Sequence, residues 1–259
     1  MPSTDYDVII VGAGFAGMYL LHRVRKLGLS GRVLEAGSSV GGTWYWNRYP
    51  GARCDIESMQ YSYQFAHELQ MQWEWSERYA PQPEILRYAE HVAERCDLKC
   101  DIQFDTRVER ADYSEEARHW VIKTQDSAAV TGRFCVMATG CLSVANWPQV
   151  EGLERFAGET YHTALWPHEP VDFTGKRVAV IGTGSSAIQS IPHIAEQAAQ
   201  LTIFQRTANY SIPAHNAKLS PQYVQSIKAD YPAMRRAQNN RSRESTGPSI
   251  WSLRWLLMR

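Results

Sequence analysis

The chain lacks the cysteine pattern of a disulfide-stapled secreted domain. Its five cysteines are odd in number and follow no paired short spacing. Cys96 and Cys100 would lie one helical turn apart, with His91 upstream, and come nearest to a metal motif, but a zinc site needs four ligands and the others are not in view. The sequence therefore predicts reduced thiols, no metal ion and a cytoplasmic location.

The chain also lacks an excess charge and a long apolar run. Lys and Arg total 27, as do Asp and Glu, so the formal net charge is zero and no global field attracts nucleic acid. No apolar stretch approaches the roughly 18 residues that span a bilayer, and Asp5 and Asp7 stand where a secretory signal would carry lysine. We expect no nucleic-acid partner and no transmembrane segment.

What the chain does have is a globular balance and two segments with one pattern. Its 259 residues, 44% hydrophobic and 21% charged, suffice for one large or two ordinary domains. In the first segment, DYDVIIVGAGFAGMYLLHRVRKLGLSGRVLEAG, the periodicity predicts a strand at Val8 to Val11, a helix at Met18 to Leu27 and a strand at Arg32 to Leu34. This order is that of a βαβ unit.

The glycines of the first segment fit the spacing of a dinucleotide-binding turn. Gly12 permits a sharp turn, Gly14 lets a pyrophosphate approach the backbone, and Gly17 lets helix and strand pack closely. Glu35 ends the second strand and would accept hydrogen bonds from a ribose diol. The segment therefore predicts a site for an unphosphorylated adenosine ribose such as that of FAD.

The second segment, GKRVAVIGTGSSAIQSIPHIAEQAAQLTIFQRTANY, repeats the pattern. We predict a strand at Val178 to Ile181, a helix at Ile188 to Ala198 and a strand at Leu201 to Phe204. The turn carries Gly182 and Gly184, and alanine replaces the third glycine, which the close-packing requirement tolerates.

The two segments differ where the acid should stand. Glu35 lies 23 residues after Gly12, whereas the residue 23 positions after Gly182 is Gln205, followed by Arg206 and Thr207. An acid repels a ribose 2′-phosphate, and arginine binds one with charge-assisted hydrogen bonds. The second site is thus predicted to select NADP over NAD; the alternative for Arg206 is a solvated charge at the end of a strand.

Two dinucleotide sites on one chain are most simply explained by a flavoprotein that accepts hydride from NADPH. The stretch RFCVMATGCLS, between the two segments, fits this interpretation. Phe134 to Met137 predicts a strand, and Ala138 to Gly140 forms a small-residue turn where the chain can leave the flavin domain close to the cofactor. Alone, the stretch is equally an ordinary strand end.

The stretch FAGETYHTALWP has neither strand nor helix periodicity, and it resembles the Baeyer–Villiger monooxygenase fingerprint FxGxxxHxxxW followed by Pro or Asp. The matching residues are Phe156, Gly158, His162, Trp166 and Pro167. The stretch GGTWYWNRYPGARCDIES also resembles the family's flavin-wrapping segment. Trp166 favours the ketone-oxidising branch over the flavin monooxygenases that oxidise amines and sulfides, and the phenylacetone monooxygenase group is the most similar, from about Tyr6 to about Ala217.

The resemblance implies a mechanism in which NADPH reduces FAD, O2 gives a peroxyflavin, and a ketone is converted into an ester or lactone. It implies catalytic roles for three residues. Asp55, a carboxylate in an apolar segment that needs a partner, would contact an active-site arginine. His162 and Trp166, in the interdomain linker, would couple domain movement to catalysis rather than perform bond chemistry. A packed linker with no role in turnover is the alternative for the latter two.

Pattern and resemblance together predict one set of cofactor-binding residues. Around Thr43 to Trp46, aromatic rings in a shaped loop offer flat surfaces for a ring system, although an aromatic core cluster is an equal alternative. The set is Gly12, Gly14, Phe15, Ala16, Gly17, Glu35, Thr43, Trp44, Tyr45, Trp46, Arg53, Cys54, Asp55, Ile56, Tyr61, Val108, Gly182, Thr183, Gly184, Ser185, Ser186, Gln189, Arg206 and Thr207.

The predicted fold class is α/β with two Rossmann-like domains, incomplete at the C-terminus. We expect an FAD domain over 1–140 with an antiparallel excursion at 104–124, a linker over 141–175, and part of an NADP domain over 176–259 that enters a helical insertion. Family members run to about twice this length and carry the catalytic arginine in the further part, so it is assigned to no residue here. The whole protein is expected to be a monomer.

The sequence leaves alternatives open for the structure of the C-terminal residues and for the function of the chain. Residues 220–259 predict a polar helix followed by SIWSLRWLLMR, whose Trp251, Trp255, Leu256 and Leu257 would expose an apolar surface. The expected function is ketone oxygenation, with a ketone and O2 as substrates. The alternatives are a non-catalytic FAD- and NADP-binding fragment and, less favoured for want of a close cysteine pair, flavin-dependent disulfide reduction.

Overall fold

The computed structural model describes residues 4–244, with side-chain surroundings as far as residue 237. The predicted apolar surface at Trp251 to Leu257 lies outside this range. The chain divides into two compact units: the first unit comprises Met1–Arg48 and Ile85–Trp166, and the second unit comprises Tyr49–Glu84 and Pro167–Arg259.

A six-stranded mixed sheet forms the centre of the first unit. Its strands are β1 (Tyr6–Val11), β2 (Gly31–Leu34), β3 (Ile102–Gln103), β4 (Val108–Ser114), β5 (His119–Thr124) and β6 (Ala129–Met137), in the order β3-β2-β1-β6-β5-β4. The strand β1 pairs in parallel with β2 and β6, whereas β4, β5 and β6 pair antiparallel. The predicted antiparallel excursion is confirmed.

The pattern of apolar residues explains why β1 lies centrally. Ile9 and Ile10 point to opposite faces of the sheet and both are fully buried, as expected of a strand covered on both sides. Ile9 packs with Leu34 and Ile122, which joins the parallel and antiparallel parts of the sheet in one core.

The second unit contains a two-stranded parallel sheet, formed by β7 and β8. The bounds of these strands and of the helices within residues 4–244 are α1 (Phe15–Lys26), α2 (Thr43–Trp46), α3 (His67–Gln72), α4 (Gln82–Arg95), β7 (Arg177–Ile181), α5 (Ser185–Ala195), β8 (Gln200–Phe204), α6 (Pro221–Ala229) and α7 (Tyr231–Glu244). Single 3₁₀ turns occur at Lys99–Asp101, Leu153–Arg155 and Thr163–Leu165. None of the described helices is long and apolar enough to cross a bilayer.

Both βαβ units form, but the boundaries of their helices differ from the prediction. The helices α1 and α5 begin at Phe15 and Ser185, three residues earlier than expected, because Gly14 and Gly184 are the N-caps and the rest of each glycine motif forms the first helical turn. The second helix also ends earlier, at Ala195, where the chain enters a terminal turn in which Ala198 N donates to Ile194 O.

Three further details of the sequence prediction were wrong. Cys96 and Cys100 do not share a helix, because α4 ends at Arg95 and Asp97 turns the chain with φ 48°. The aromatic stretch predicted as pure loop contains the one-turn helix α2. The polar region after Ser220 forms two helices, α6 and α7, rather than one.

Candidate functional site

The first glycine turn joins β1 to α1. Gly12 has φ +102°, and its N–H donates to Leu34 O at 2.8 Å, which holds the turn against the end of β2. Gly14 is extended (φ −72°, ψ −175°) and caps α1 without a side-chain hydrogen bond. The N–H groups of the first helical turn thus meet the requirements of an anion site.

Packing explains why Gly12 and Gly17 are glycine. A Cβ at Gly17 would lie 1.9 Å from Gly12 O, and one at Gly12 would lie 2.8 Å from Ala138 O. Both contacts are with backbone, so no side-chain rotation relieves them. Ala138 belongs to the small-residue turn after β6, which therefore packs directly on the glycine motif.

The loop that precedes α2 packs on the same turn. Gly41 N donates to Ala13 O at 3.1 Å, and a Cβ at Gly42 would lie 2.8 Å from the Cα of Gly14. Gly41 and Gly42 both have positive φ, so this close approach of two backbones needs glycine. The approach brings Thr43 to Trp46 next to the first turn, as the predicted flavin segment requires.

Glu35 has a structural task that the sequence did not reveal. Its side chain is buried, and its two oxygens accept hydrogen bonds from Ala13 N at 2.6 Å and Gly37 N at 2.8 Å. Each carboxylate oxygen keeps a further lone pair for a ribose hydroxyl. Glu35 therefore fixes the glycine turn in addition to the ligand role predicted for it.

The second glycine turn repeats the backbone of the first. Gly182 has φ +102° and donates to Phe204 O at 2.8 Å, and Gly184 has φ −71° and ψ −177° with no side-chain cap on α5. Among the described residues, nothing lies within 4 Å of a Cβ built at Gly182 or Gly184. The open space fits a pyrophosphate lying against this backbone.

Gln205 stands in the second segment where the first segment has the acid Glu35, and its side chain holds the second turn. Gln205 Nε2 and Asn209 Nδ2 donate to the Thr183 hydroxyl at 2.8 and 3.1 Å. Both lone pairs of this hydroxyl are used, so its hydrogen is left to donate, which suits an anion. The exposed side chains of Arg206 and Thr207 follow directly after β8. Asn209 was not singled out from the sequence, because no motif marks it.

The segment Tyr49–Asp55 belongs to the second unit. Gln189 of α5 accepts from Tyr49 and from Arg53 N, and the Arg53 guanidinium donates to Glu77 Oε2 at 3.0 Å. The predicted cofactor residues Gln189 and Arg53 are therefore engaged by protein groups. Burial also raises the pKa of Tyr49, although a hydrogen bond to Ser186 opposes the shift.

Cys54 and Asp55 differ sharply in environment. Cys54 is buried, and this burial raises the pKa of its thiol to about 12. Asp55 is exposed, and within residues 4–244 no hydrogen bond or ion pair to its carboxylate is found. We expected an apolar setting that demands a partner for Asp55; the exposure removes that demand, and the contact with an arginine stays a prediction.

The remaining predicted cofactor residues are distributed over both units. Trp44 and Tyr45 are buried and Tyr45 bonds Ser38, so these rings contribute to the core of the first unit. Phe15 stacks edge-on against Tyr88. The first unit holds Gly12 to Gly17, Glu35, Thr43 to Trp46 and Val108, and the second unit holds Arg53 to Ile56, Tyr61, Gly182 to Ser186, Gln189, Arg206 and Thr207.

The fingerprint stretch is organised around His162. Its Nδ1 accepts from Ala164 N at 3.1 Å and caps the turn Thr163–Leu165, and its Nε2 lies 3.3 Å from Asn146 O. This pairing requires the hydrogen on Nε2, because an amide N–H and a carbonyl need opposite partners. Trp147 packs against the ring at 5.0 Å between centroids.

The other fingerprint residues have local contacts as well. A Cβ at Gly158 would lie 2.6 Å from the exposed ring of Phe156, which would have to move to admit a side chain there. Trp166 packs against Tyr161 at 5.5 Å and is the last residue of the first unit, so the chain re-enters the second unit at Pro167.

Comparison with known proteins places these turns in a family. Residues 9–244 match the model described as "Pyridine nucleotide-disulphide oxidoreductase". The chain is 42% identical over 238 residues to 2-oxo-Delta(3)-4,5,5-trimethylcyclopentenylacetyl-CoA monooxygenase of Pseudomonas putida, covering 90% of this chain and 44% of that protein. It is 43% identical to phenazine N-monooxygenase PhzNO1 of Lysobacter antibioticus, covering 88% of this chain and 42% of that protein.

Comparison with solved structures leads to the same group of proteins. Oxidized steroid monooxygenase bound to NADP is 60% identical, with a TM-score of 0.86, and the match covers 89% of this chain and 44% of that one. The complex of OTEMO with FAD and NADP is 43% identical, with a TM-score of 0.85 and the same coverage. The chain thus spans less than half the length of these relatives. It belongs to the pyridine nucleotide-disulphide oxidoreductase family and corresponds to the N-terminal part of the Baeyer–Villiger monooxygenases.

Proposed function

We propose that this chain binds FAD and NADPH and is the cofactor-binding part of a monooxygenase that inserts one oxygen atom of O2 next to a ketone carbonyl, giving an ester or lactone. One observation carries the proposal. Two glycine turns have the same backbone dihedral angles, yet one ends in the acid Glu35 and the other in Gln205 and Arg206. A chain with both turns is suited to two different dinucleotides.

FAD is assigned to the first turn. Its pyrophosphate would lie at the N-terminus of α1, next to Gly14, and its ribose would lie at the free lone pairs of Glu35. The NADP 2′-phosphate is assigned to Arg206, Thr207 and the hydroxyl hydrogen of Thr183. The relatives solved with FAD and NADP support both assignments.

When bound, the flavin supplies hydride acceptance and oxygen activation. The chain's own residues bind and orient the two nucleotides. We propose that Asp55 meets an arginine near the flavin and that His162 and Trp166 couple the fingerprint stretch to turnover. We also keep the division into an FAD domain (1–140), a linker (141–175) and an NADP domain (176–259) as a proposal.

Two alternatives differ in chemistry. Disulfide reduction requires a pair of thiols that exchange electrons with the flavin, whereas all five cysteines are unpaired and Cys54, the one in the predicted flavin segment, is buried with its pKa raised to about 12. N-oxidation is kept open by the relative PhzNO1. A non-catalytic FAD- and NADP-binding fragment is the remaining alternative.

The test is to load the chain with FAD, mix it anaerobically with NADPH, and then admit O2 while recording the flavin spectrum. Bleaching followed by oxygen-dependent reoxidation supports the proposal, and conversion of a ketone rather than an N-heterocycle then separates the two oxygenations. Failure to retain FAD, or flavin that never bleaches, contradicts it. The cytoplasmic location and monomeric state stay predictions, to be checked by fractionation and sedimentation.

A further inference from the structure

The segment Tyr49–Asp55 carries predicted flavin-side residues, yet within the second unit it is attached to helix α5. The Gln189 side chain makes the attachment. Its Oε1 accepts from the Tyr49 hydroxyl at 3.0 Å and from Arg53 N at 3.3 Å, and its Nε2 donates to Arg53 O at 3.1 Å. One amide thus pairs with both backbone groups of Arg53, which fixes the orientation of the two peptide groups that flank this residue.

Gly51 shows how closely the segment approaches the helix. Its φ is +75°, and a Cβ there would lie 2.3 Å from Gln189 O and 2.4 Å from the imidazole of His193. Only glycine permits this contact without displacement of the helix backbone. The Ser186 side chain in the first turn of α5 also lies near the Tyr49 phenol, where it opposes the rise that burial causes in the pKa of Tyr49.

The opposite side of the segment is held as well. Arg53 donates to Glu77 Oε2 at 3.0 Å and Tyr79 O at 3.1 Å, and Cys54 N donates to Ala80 O at 3.1 Å. The positive charge of the Arg53 guanidinium is therefore paired with the Glu77 carboxylate. Asp55 follows directly, with its carboxylate exposed, so the position of this carboxylate depends on how the preceding two residues are held.

We infer that Gln189 is a positioning residue, which couples the nucleotide-binding turn at the start of α5 to the Arg53–Asp55 segment. The inference rests on the proposed function, because it takes the nucleotide at α5 to be NADP. It goes beyond that function because it assigns Gln189 the positioning of the Arg53–Asp55 segment rather than contact with the ligand. Both acceptor sites of its carbonyl oxygen are used by Tyr49 and Arg53. Gln189 holds Tyr49 from the same helix face on which Ser186 lies, three residues earlier, so a ligand that orders the first turn of α5 also orders this segment.

The first test uses hydrogen exchange on the 259-residue chain without nucleotide. Gln189→Ala is expected to speed exchange of the 49–56 amides about 10-fold, as loss of a hydrogen bond worth about 1.4 kcal/mol implies, while β7 is unchanged. Gln189→Glu keeps the acceptor for Arg53 N and restores part of the protection. Gln225→Ala, which removes an exposed amide from α6, changes nothing. Equal exchange in wild type and Gln189→Ala would overturn the inference.

The second test adds NADP⁺ to the same proteins. In the wild type, the nucleotide slows exchange both in the first turn of α5 and in residues 49–56. In Gln189→Ala the helix is still protected but the segment is not; equal protection of the segment would refute the coupling. If neither region responds in the wild type, the nucleotide assignment fails, and the first test still decides whether Gln189 holds the segment. Should Gln189→Ala not fold, Tyr49→Phe removes the hydrogen bond from the phenol to Gln189 and is expected to give a smaller change in the same direction.

Discussion

Gly17 and Gly184 occupy glycine motifs of the same shape but differ in what a methyl group would meet. At Gly17 the methyl would lie 1.9 Å from Gly12 O, whereas at Gly184 nothing described lies within 4 Å. Gly17→Ala is expected to lower the free energy of unfolding by about 1–3 kcal/mol or more, in the range of overpacked cores. Gly184→Ala is expected to lower stability by less than about 1 kcal/mol, the loss of a glycine N-cap, and to weaken NADP⁺ binding.

Thermal or urea unfolding, together with nucleotide titration, checks both outcomes. Gly184 is the matched control for Gly17 because both changes add one methyl group to a glycine motif. Equal stability of the two variants would contradict the packing argument.

Cys54 is expected to resist alkylation. Its buried thiol has a pKa raised to about 12, so at pH 8 only a minute fraction is thiolate, the reactive form. We expect modification by iodoacetamide, followed by peptide mass spectrometry, to be at least ~100-fold slower than at the exposed Cys141. Comparable rates would show that Cys54 is accessible.

The raised pKa of Cys54 also makes the stability of the fold depend on pH in a definite direction. Because burial raises the pKa of Cys54 in the folded protein above the ordinary thiol value of 9.0, the unfolded chain loses this proton first as pH rises. The contribution to stability is complete below about pH 9 and is lost progressively towards pH 12. Cys54→Ser is expected to flatten this fall in an unfolding series over that range.

Arg206 is the residue on which nucleotide choice is expected to depend. Arg206→Ala should weaken binding of NADPH by about 10-fold or more and leave binding of NADH nearly unchanged, because only the former carries the 2′-phosphate. Arg177→Ala, at the opposite end of the β7–β8 sheet, is the control of equal charge. Equal losses for NADPH and NADH would favour the solvated-charge alternative.

At the scale of elements, the turn Thr163–Leu165 depends on His162 as its N-cap. His162→Ala is expected to destabilise this turn by about 1 kcal/mol and to increase proteolysis between residues 146 and 166, with FAD retention unaffected. His162→Asn, whose side chain also caps helices, should restore resistance. If the change equivalent to His162→Ala also leaves turnover unchanged in a full-length relative, the predicted role of His162 in coupling the fingerprint stretch to turnover is wrong.

The elements that sequence predicted correctly are those set by neighbouring residues. The strand, turn and helix of each βαβ unit follow from local periodicity and glycine spacing, and both are confirmed. The helix starts were misplaced by three residues, since Gly14 and Gly184 serve as caps and only backbone geometry shows this. Contacts between distant parts of the chain, such as Glu35 with Ala13 or Gln189 with Arg53, leave no local signal and were missed.

At the scale of the whole molecule, strands of both sheets expose apolar side chains. Phe134 and Met137 on β6 are 54% and 58% exposed, and Ile181 and Phe204 on β7 and β8 are 67% and 56% exposed. We expect the 259-residue chain to bind the dye ANS and to associate at raised concentration. Replacing Ile181 and Phe204 by serine should reduce dye fluorescence, whereas an unchanged signal would place the binding elsewhere.

The alternation of the two units along the chain has a consequence for biosynthesis. The polypeptide passes from one unit to the other after Arg48, Glu84 and Trp166, so neither unit is a continuous stretch. Tyr49 to Asp55 leave the ribosome well before the helix that holds them, because Gln189 is 136 residues after Arg53. At translation rates of roughly 5–20 residues per second, this segment waits on the order of ten seconds for its partner. During that time, the surface by which this segment contacts α5 is available to chaperones.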